Sequence, residues 1–129
     1  MVNDFTALGS AIFSKLGGTA AAPAVFYALA PQGSTPPYVL VQRLAAVDEY
    51  TFTSGGVSAD YVVKVISNRQ WAVEAWNAYG TVHSTLQGAN LSITGFTGLR
   101  CERRSTVEYI DSGRFWHVGG VYRVEAWRT

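Results

Sequence analysis

The sequence predicts an α+β fold: a largely antiparallel β-sheet with two α-helices packed on one face. Three observations lead there. Two stretches, 4–16 and 67–86, repeat apolar residues at helical spacing, whereas 57–65 alternates with the period of two that marks a half-buried strand. Each helical stretch is followed by a short apolar run and then by a pair of long strand-like segments joined by a turn. The regular βαβ alternation of a doubly wound parallel sheet is missing.

Taken in order, Phe5, Leu8, Ile12, Phe13 and Leu16 trace one buried helical face. Asn3 or Asp4 caps its start, and Gly17-Gly18 ends it. A short apolar run, Val25 to Leu29, closes on Pro31-Gln32-Gly33-Ser34. Pro36-Pro37 then holds the backbone extended and leads into the strand Tyr38-Val39-Leu40-Val41, which continues past Arg43 towards Phe52. Ser54-Gly55-Gly56 reads as the hairpin turn, since glycine supplies positive φ. The return strand sets Val57, Ala59, Tyr61, Val63 and Val65 on one face and Ser58, Asp60 and Lys64 on the other. Val62 and Ile66 interrupt the polar face, which suggests cover on both sides at that end.

Ser67 and Gln70 have the spacing of a capping box, and a helix runs from there to about Leu86. On a wheel of 100° per residue, Trp71, Ala72, Ala75, Trp76, Tyr79, Val82, His83 and Leu86 fall within about 140°, with Val73 outside. Gly88 suits the position just past the helix. The rest reads as a short strand at Leu91–Thr94, a long one from Leu99 to Ile110, and a turn at Asp111-Ser112-Gly113-Arg114. A final strand spans Phe115 to Trp127, bulged or broken at Gly119-Gly120. No repeat or linker divides residues 1–129, so one domain is expected.

Composition limits what such a domain does. Of 129 residues, 48% are hydrophobic and 15% charged, the latter well below the quarter usual for soluble domains. A small, weakly charged surface tends to associate. Eight of the ten basic residues are arginine, the cation that interfaces prefer to lysine. The net charge of +1 offers no general attraction to nucleic acid or anionic lipid. No apolar run is long enough to span a bilayer and no secretory leader is evident, so a reducing cytoplasm is the expected site of folding. A single cysteine excludes an internal disulfide framework.

Motifs that carry chemistry are missing. There is no phosphate-cradling glycine loop, nucleophile elbow or paired zinc-binding histidine motif. His83 and His117 lack ligand spacing and read as satisfied core or rim residues. Cys101, beside Arg100 and near Arg103, reads as a buried small hydrophobe rather than a nucleophile. Asp48 and Glu49 point to opposite faces of a strand and form no acid–base pair. The sequon Asn90-Leu91-Ser92 carries no weight without a leader. No catalytic, cofactor or metal residue is assigned.

The densest charge cluster is Arg100, Glu102, Arg103 and Arg104, with Arg100, Glu102 and Arg104 expected on one strand face and Arg103 on the other. A cross-strand or intersubunit ion-pair ladder fits it better than a nucleic-acid surface using Tyr109, Trp116 and Tyr122 for stacking. A second alternative is a small-molecule-binding or enzymatic domain with Trp71, Tyr79 and Trp116 around a pocket.

The succession of an amphipathic helix, Pro37-Tyr38-Val39-Leu40-Val41, a glycine hairpin, Val63-Lys64-Val65-Ile66-Ser67, a capped helix and a closing hairpin resembles the tail-completion, or tail-terminator, proteins of long-tailed bacteriophages. Similar proteins occur in phage-derived particles such as gene transfer agents. The resemblance implies a non-enzymatic virion subunit without cofactors, made in the host bacterial cytoplasm and placed at the tail–neck junction. There a hexameric ring of copies caps the tail tube, stops its polymerisation and meets the head connector, while DNA passes without specific binding and no membrane is involved. A tail-tube or connector-side stopper subunit is the nearest alternative. From charge placement, Asp48, Glu49, Tyr50, Arg100, Glu102, Arg103 and Arg104 are the candidate residues of the joints between copies.

Overall fold

The computed structural model describes residues 4–16, 25–27, 32–33, 36–50, 55–87 and 96–128. The element order is α1 (Asp4–Leu16), β1 (Val25–Tyr27), β2 (Tyr38–Tyr50), β3 (Gly55–Ser67), α2 (Val73–Leu86), β4 (Phe96–Ile110) and β5 (Trp116–Arg128). The strands form one five-stranded sheet in the order β1-β2-β3-β5-β4. β1 runs parallel to β2, and every other neighbouring pair is antiparallel. The fold is thus α+β, as the sequence predicts.

Alternation divides the sheet into two faces. Val39 and Val41 of β2, Val57, Ala59, Tyr61, Val63 and Val65 of β3, and Val118, Tyr122, Val124 and Ala126 of β5 are all buried. Their register partners match across the strands: Val41 with Val63, Tyr61 with Tyr122, Ala59 with Val124. Onto this face pack Leu8, Ile12 and Leu16 of α1, one residue per turn, and Ala75, Tyr79, Val82 and Leu86 of α2. Both helices therefore share one face, and the core lies between them and the sheet.

Several expectations need correction. Phe13 is 38% exposed, because the buried stripe of α1 is narrow and passes through Leu8, Ile12 and Leu16. Gly55 and Gly56 are strand residues of β3 opposite Tyr50 and Glu49, not the turn. Gly56 is needed for close approach, since a Cβ there would meet the Trp127 ring at 2.6 Å. Ser67 does not cap α2, which starts only at Val73 after Ala72. The Ser67 hydroxyl instead donates to Glu74 at 3.0 Å and accepts from the Arg69 N–H. Trp71 precedes the helix and is 69% exposed, and Trp76 is 37% exposed, so the buried arc of α2 is narrower than expected. β4 begins earlier than Leu99, at Phe96. Val62 and Ile66 are buried on the face away from the helices, Val62 between Gln42 and Val121 and Ile66 between Tyr38 and His117 in register. Gly17-Gly18, Phe52, Ser54, Gly88, Asn90 and the short strand at Leu91–Thr94 lie outside the described residues.

The bulge expected at Gly119-Gly120 is not there. β5 pairs through both glycines without a break, and the register slips instead in the two strands that flank the β3–β5 pair, at Leu44 of β2 and at Arg104 of β4, with a further slip between Thr97 and Arg100. Gly119 is required for another reason: a Cβ would run into the Val63 carbonyl and the Lys64 backbone. Gly119→Ala is expected to destabilise the protein by about 2 kcal/mol or more, because backbone on the neighbouring strand cannot yield. Gly80, exposed in α2 with open space around its Cα, gives the opposite sign. Gly80→Ala should stabilise by about 0.5–1 kcal/mol through helix propensity. Urea unfolding of the two variants checks both.

Candidate functional site

The face of the sheet opposite the helices carries charge at its centre. Arg123 of β5 donates to Asp60 of β3 through Nε at 3.0 Å and through Nη2 at 3.4 Å. In register Arg123 also stands opposite Glu102 of β4, and Arg100 stands opposite Glu125. Arg100 closes the array by donating to Glu102 at 2.8 Å, and that bond, aided by the charges of Glu102 and Glu125, raises the guanidinium pKa further. Acid and base therefore alternate over three strands of one chain. Solvent screens such exposed pairs, so their arrangement fixes charge pattern more than stability.

Nearer the β4–β5 turn the same face is fastened by a second cluster. Lys64 Nζ donates to the Tyr109 hydroxyl at 2.9 Å, and the Tyr109 ring stacks on His117 at 4.4 Å between centroids. His117 Nε2 meets Asp111 Oδ2 at 2.8 Å, while Asp111 Oδ1 accepts the N–H groups of Gly113 and Phe115. The bond to His117 first, and the backbone donors after it, hold the Asp111 carboxyl below its ordinary range. This is the expected turn at 111–114, with Arg114 at φ 66°.

The seven candidate joint residues do not come together within one chain. Asp48, Glu49 and Tyr50 end β2, opposite Val57, Gly56 and Gly55. Arg100, Glu102, Arg103 and Arg104 lie on β4, on the far side of the β3–β5 pair. Both groups sit towards the same end of the strands, for Gly56 pairs with Trp127 and Trp127 with Thr97. Arg100 and Glu102 share the charged face, as expected. Arg104 does not hold a ladder position with them, because it is the extra residue where β4 slips between Arg103 and Ser105. Arg103 points to the helix side, where its Nη1 reaches the Tyr79 hydroxyl at 3.4 Å and its N–H is taken by Gln87 Oε1 at 2.9 Å.

The family model described as Tail completion protein gp17 matches residues 7–128. The chain belongs to this family. A chain of the solved "Virion of native gene transfer agent (GTA) particle" has the same fold, with a TM-score of 0.82, 24% sequence identity, and coverage of 98% of this chain and 99% of that one. No curated protein matches the sequence.

In this tail completion family member the helix side of the sheet holds a polar chain inside the core. The Tyr79 and Tyr122 hydroxyls are 2.7 Å apart, and Tyr122 is 2.9 Å from His83 Nδ1. Arg103 only donates, so the Tyr79 hydroxyl accepts from it, and either hydroxyl can donate in the Tyr79–Tyr122 bond. With His83 neutral and its proton on Nε2, Tyr122 donates to His83 Nδ1. Burial and then the Arg103 charge lower the His83 pKa and so favour the neutral ring. Burial first, then the bond to Tyr79, carries the Tyr122 hydroxyl far above the ordinary phenol range. Gly120 gives the Tyr79 hydroxyl its place, since a Cβ there would meet it at 2.5 Å. His83 is thus a satisfied residue at the core margin, as the sequence suggests.

The other readings fit the side chains poorly. Tyr122 is fully buried and faces away from Tyr109, so the proposed stacking trio does not share a surface. Tyr79, 2% exposed, fills the core rather than lining a pocket with exposed Trp71. Cys101 is buried, and burial together with the Glu102 charge pushes its thiol up to about 11, which leaves it a weak nucleophile near neutral pH. Sequence reasoning missed Asp60, Arg123 and Glu125, although counting parity along the last strand would have put Arg123 and Glu125 on the polar face.

Two measurements test the polar chain of this tail completion protein. Tyr122→Phe should cost about 1–3 kcal/mol in urea unfolding, since it leaves the Tyr79 hydroxyl and His83 Nδ1 without their shared partner. His83 has a folded pKa below its unfolded value, so protons favour the unfolded chain. Stability should be full above about pH 6.5 and fall as pH drops below it, and His83→Gln should flatten that slope.

Proposed function

We propose that six copies of this chain close a ring that ends the tail tube, stops its growth and joins the tail to the head connector. What supports this reading, beside membership of the tail completion family, is the placement of the candidate residues on β2 and β4, the strands that flank the central β3–β5 pair from opposite sides. A surface that meets a different surface of its neighbour makes a head-to-tail contact, and such contacts generate rings when the rotation closes. One rim of the ring stands in for the next tube layer, and the other offers a seat to the connector. DNA passes through the opening without base-specific contact. The role needs no catalysis and no cofactor. The subunit is made in the host bacterial cytoplasm and works in the virion, at the tail–neck junction.

Asp48, Glu49 and Tyr50 on β2, and Arg100, Glu102, Arg103 and Arg104 on β4, serve the joints in this reading. The low charge content agrees with it, because a domain with 15% charged residues has little to keep copies apart. Native mass spectrometry of the purified chain, alone and with tail tubes, tests the proposal. Closed rings, recruited to one end of a tube, are the expected result, whereas open tubes of the chain alone would mark a tube subunit instead. Arg104→Glu should lower the ring population about tenfold or more, while thermal unfolding of the monomer shifts by less than about 0.5 kcal/mol, as for other exposed surface changes.

A further inference from the structure

β4 stands last in the sheet order, and among the described residues no strand pairs with its outer side. Backbone groups of successive strand residues aim at opposite edges. Asp111 bonds inward, its N–H donating to the Phe115 carbonyl. Counting back from it, the N–H and C=O groups of Thr106, Glu108 and Ile110 point outward, and those of Val107 and Tyr109 point to β5. Arg104, the extra residue, resets the alternation, and the outward N–H of Arg103 is taken by Gln87 Oε1. At Arg103 the chain thus blocks its own edge with a helix side chain and a register slip, both means of keeping sheet edges from pairing with other chains. From Ser105 to Ile110 it has neither, and Ser105, Thr106, Glu108, Tyr109 and Ile110 are all exposed.

Apolar side chains gather beside that stretch on the helix side. Glu108 and Ile110 stand opposite Val118 and Trp116 in register. Trp76 Nε1 donates to Glu108 Oε1 at 2.6 Å, which draws the carboxylate against α2. Trp116 Nε1 donates to the Gln70 carbonyl, and so brings Trp71 to the same end of the sheet. Trp71, Val73 and Ile110 are 69%, 64% and 49% exposed, far more than a core stripe leaves in water.

We infer that this edge takes an extended segment of the tail tube as an added strand, with alternate apolar side chains of that segment set against Ile110 and Trp76. The inference rests on the ring reading above and names one contact of its tube-facing rim. Length argues against a second copy as the occupant. The open stretch spans roughly 20 Å, whereas β2, β3, β4 and β5 have 13 residues or more and would overrun the Gln87 block. Area argues the same way. Taking about 250 Å² for a whole tryptophan, Trp71 and Trp76 leave roughly 270 Å² in water, and Val73 and Ile110 add less than that again. The patch has the size of those that mark a functional contact, but falls well short of the roughly 800 Å² per partner of a specific subunit joint.

The chemistry fits a peptide in extended form. Outward N–H and C=O groups at every second residue supply the main-chain bonds of strand addition, and an apolar row beside them selects alternate side chains. The tube is the source that matches the role. A layer able to recruit a further layer presents unsatisfied groups at its growing end, and a cap that stops growth has to satisfy them.

Amide exchange in the full-length chain, free and bound to tail tubes, tests the contact. In the free chain Thr106, Glu108 and Ile110 should exchange quickly, and Val107 and Tyr109 slowly. On tubes the first three should slow about tenfold or more, which completes an unbroken protected strand. Thr106→Pro removes one outward N–H and no bond to β5, so it should lower recruitment to tubes about tenfold or more without preventing ring formation. Trp71→Ala with Ile110→Ser should do the same through the apolar row, and decides the matter should the proline variant fail to fold. If rings are recruited to tubes while the three amides keep exchanging, or if the folded variants are recruited like the unaltered chain, strand addition is overturned and the ring stands. Protection by the head connector but not by tubes overturns the tube as the source. If the unaltered chain neither forms rings nor binds tubes, the ring reading and this contact fall together.

Discussion

The pairing of β3 with β5 is the constraint on which the rest of the molecule depends. It sets Tyr61 beside Tyr122 and Ala59 beside Val124, and so brings every inward residue of two central strands onto one surface. A shift of one residue would exchange that surface with the row containing Asp60, Lys64, Arg123 and Glu125, and no helix could pack on it. Gly119 guards the register from within the strand, because only a residue without Cβ lets β5 come so close to Val63 and Lys64.

The two faces fixed by this register do different work. Beneath the helices, hydroxyls and an imidazole are threaded into the apolar layer and satisfied one by one, which gives the core a unique arrangement rather than only an oily one. On the other face acids and bases alternate over β3, β5 and β4, and the formal charges largely cancel within the subunit. The strands that flank this central pair differ again. β2 and β4 both slip register, while the inner pair β3 and β5 keeps an unbroken ladder. Extra residues in these strands twist them locally and redirect their side chains, and both the arginine and the leucine that occupy them are exposed.

Much of this architecture was legible in the sequence because it is written in periods. The alternation from Val57 to Val65 gave the core face of β3, and the spacing of Leu8, Ile12 and Leu16 gave that of α1. The Asp111–Arg114 turn was visible from its residue types. What failed were inferences from single residues. Glycine was read as a maker of turns at Gly55-Gly56 and of a bulge at Gly119-Gly120, whereas Gly56, Gly119 and Gly120 are there because a ring, a backbone and a hydroxyl come too close for a side chain. Ser67 and Gln70 matched a capping box, yet Ser67 serves Glu74 from the end of a strand. The seven candidate joint residues were legible as charge, but their division between two strands on opposite sides of the β3–β5 pair depends on strand order, which no local pattern encodes.

The position of β5 in the sheet bears on how the chain is built. Only four residues separate β2 from β3 and five separate β4 from β5, so both pairs can form early at small entropic cost. The seam that unites them joins residues some sixty positions apart, as Tyr61 and Tyr122 are, and its slow loop closure falls on a single step. β5 is also the last of these strands to leave the ribosome, although it belongs at the centre. Until β5 has emerged, the edge of β3 that will meet it lacks its partner strand, so the whole sheet can be assembled only once synthesis has passed β5.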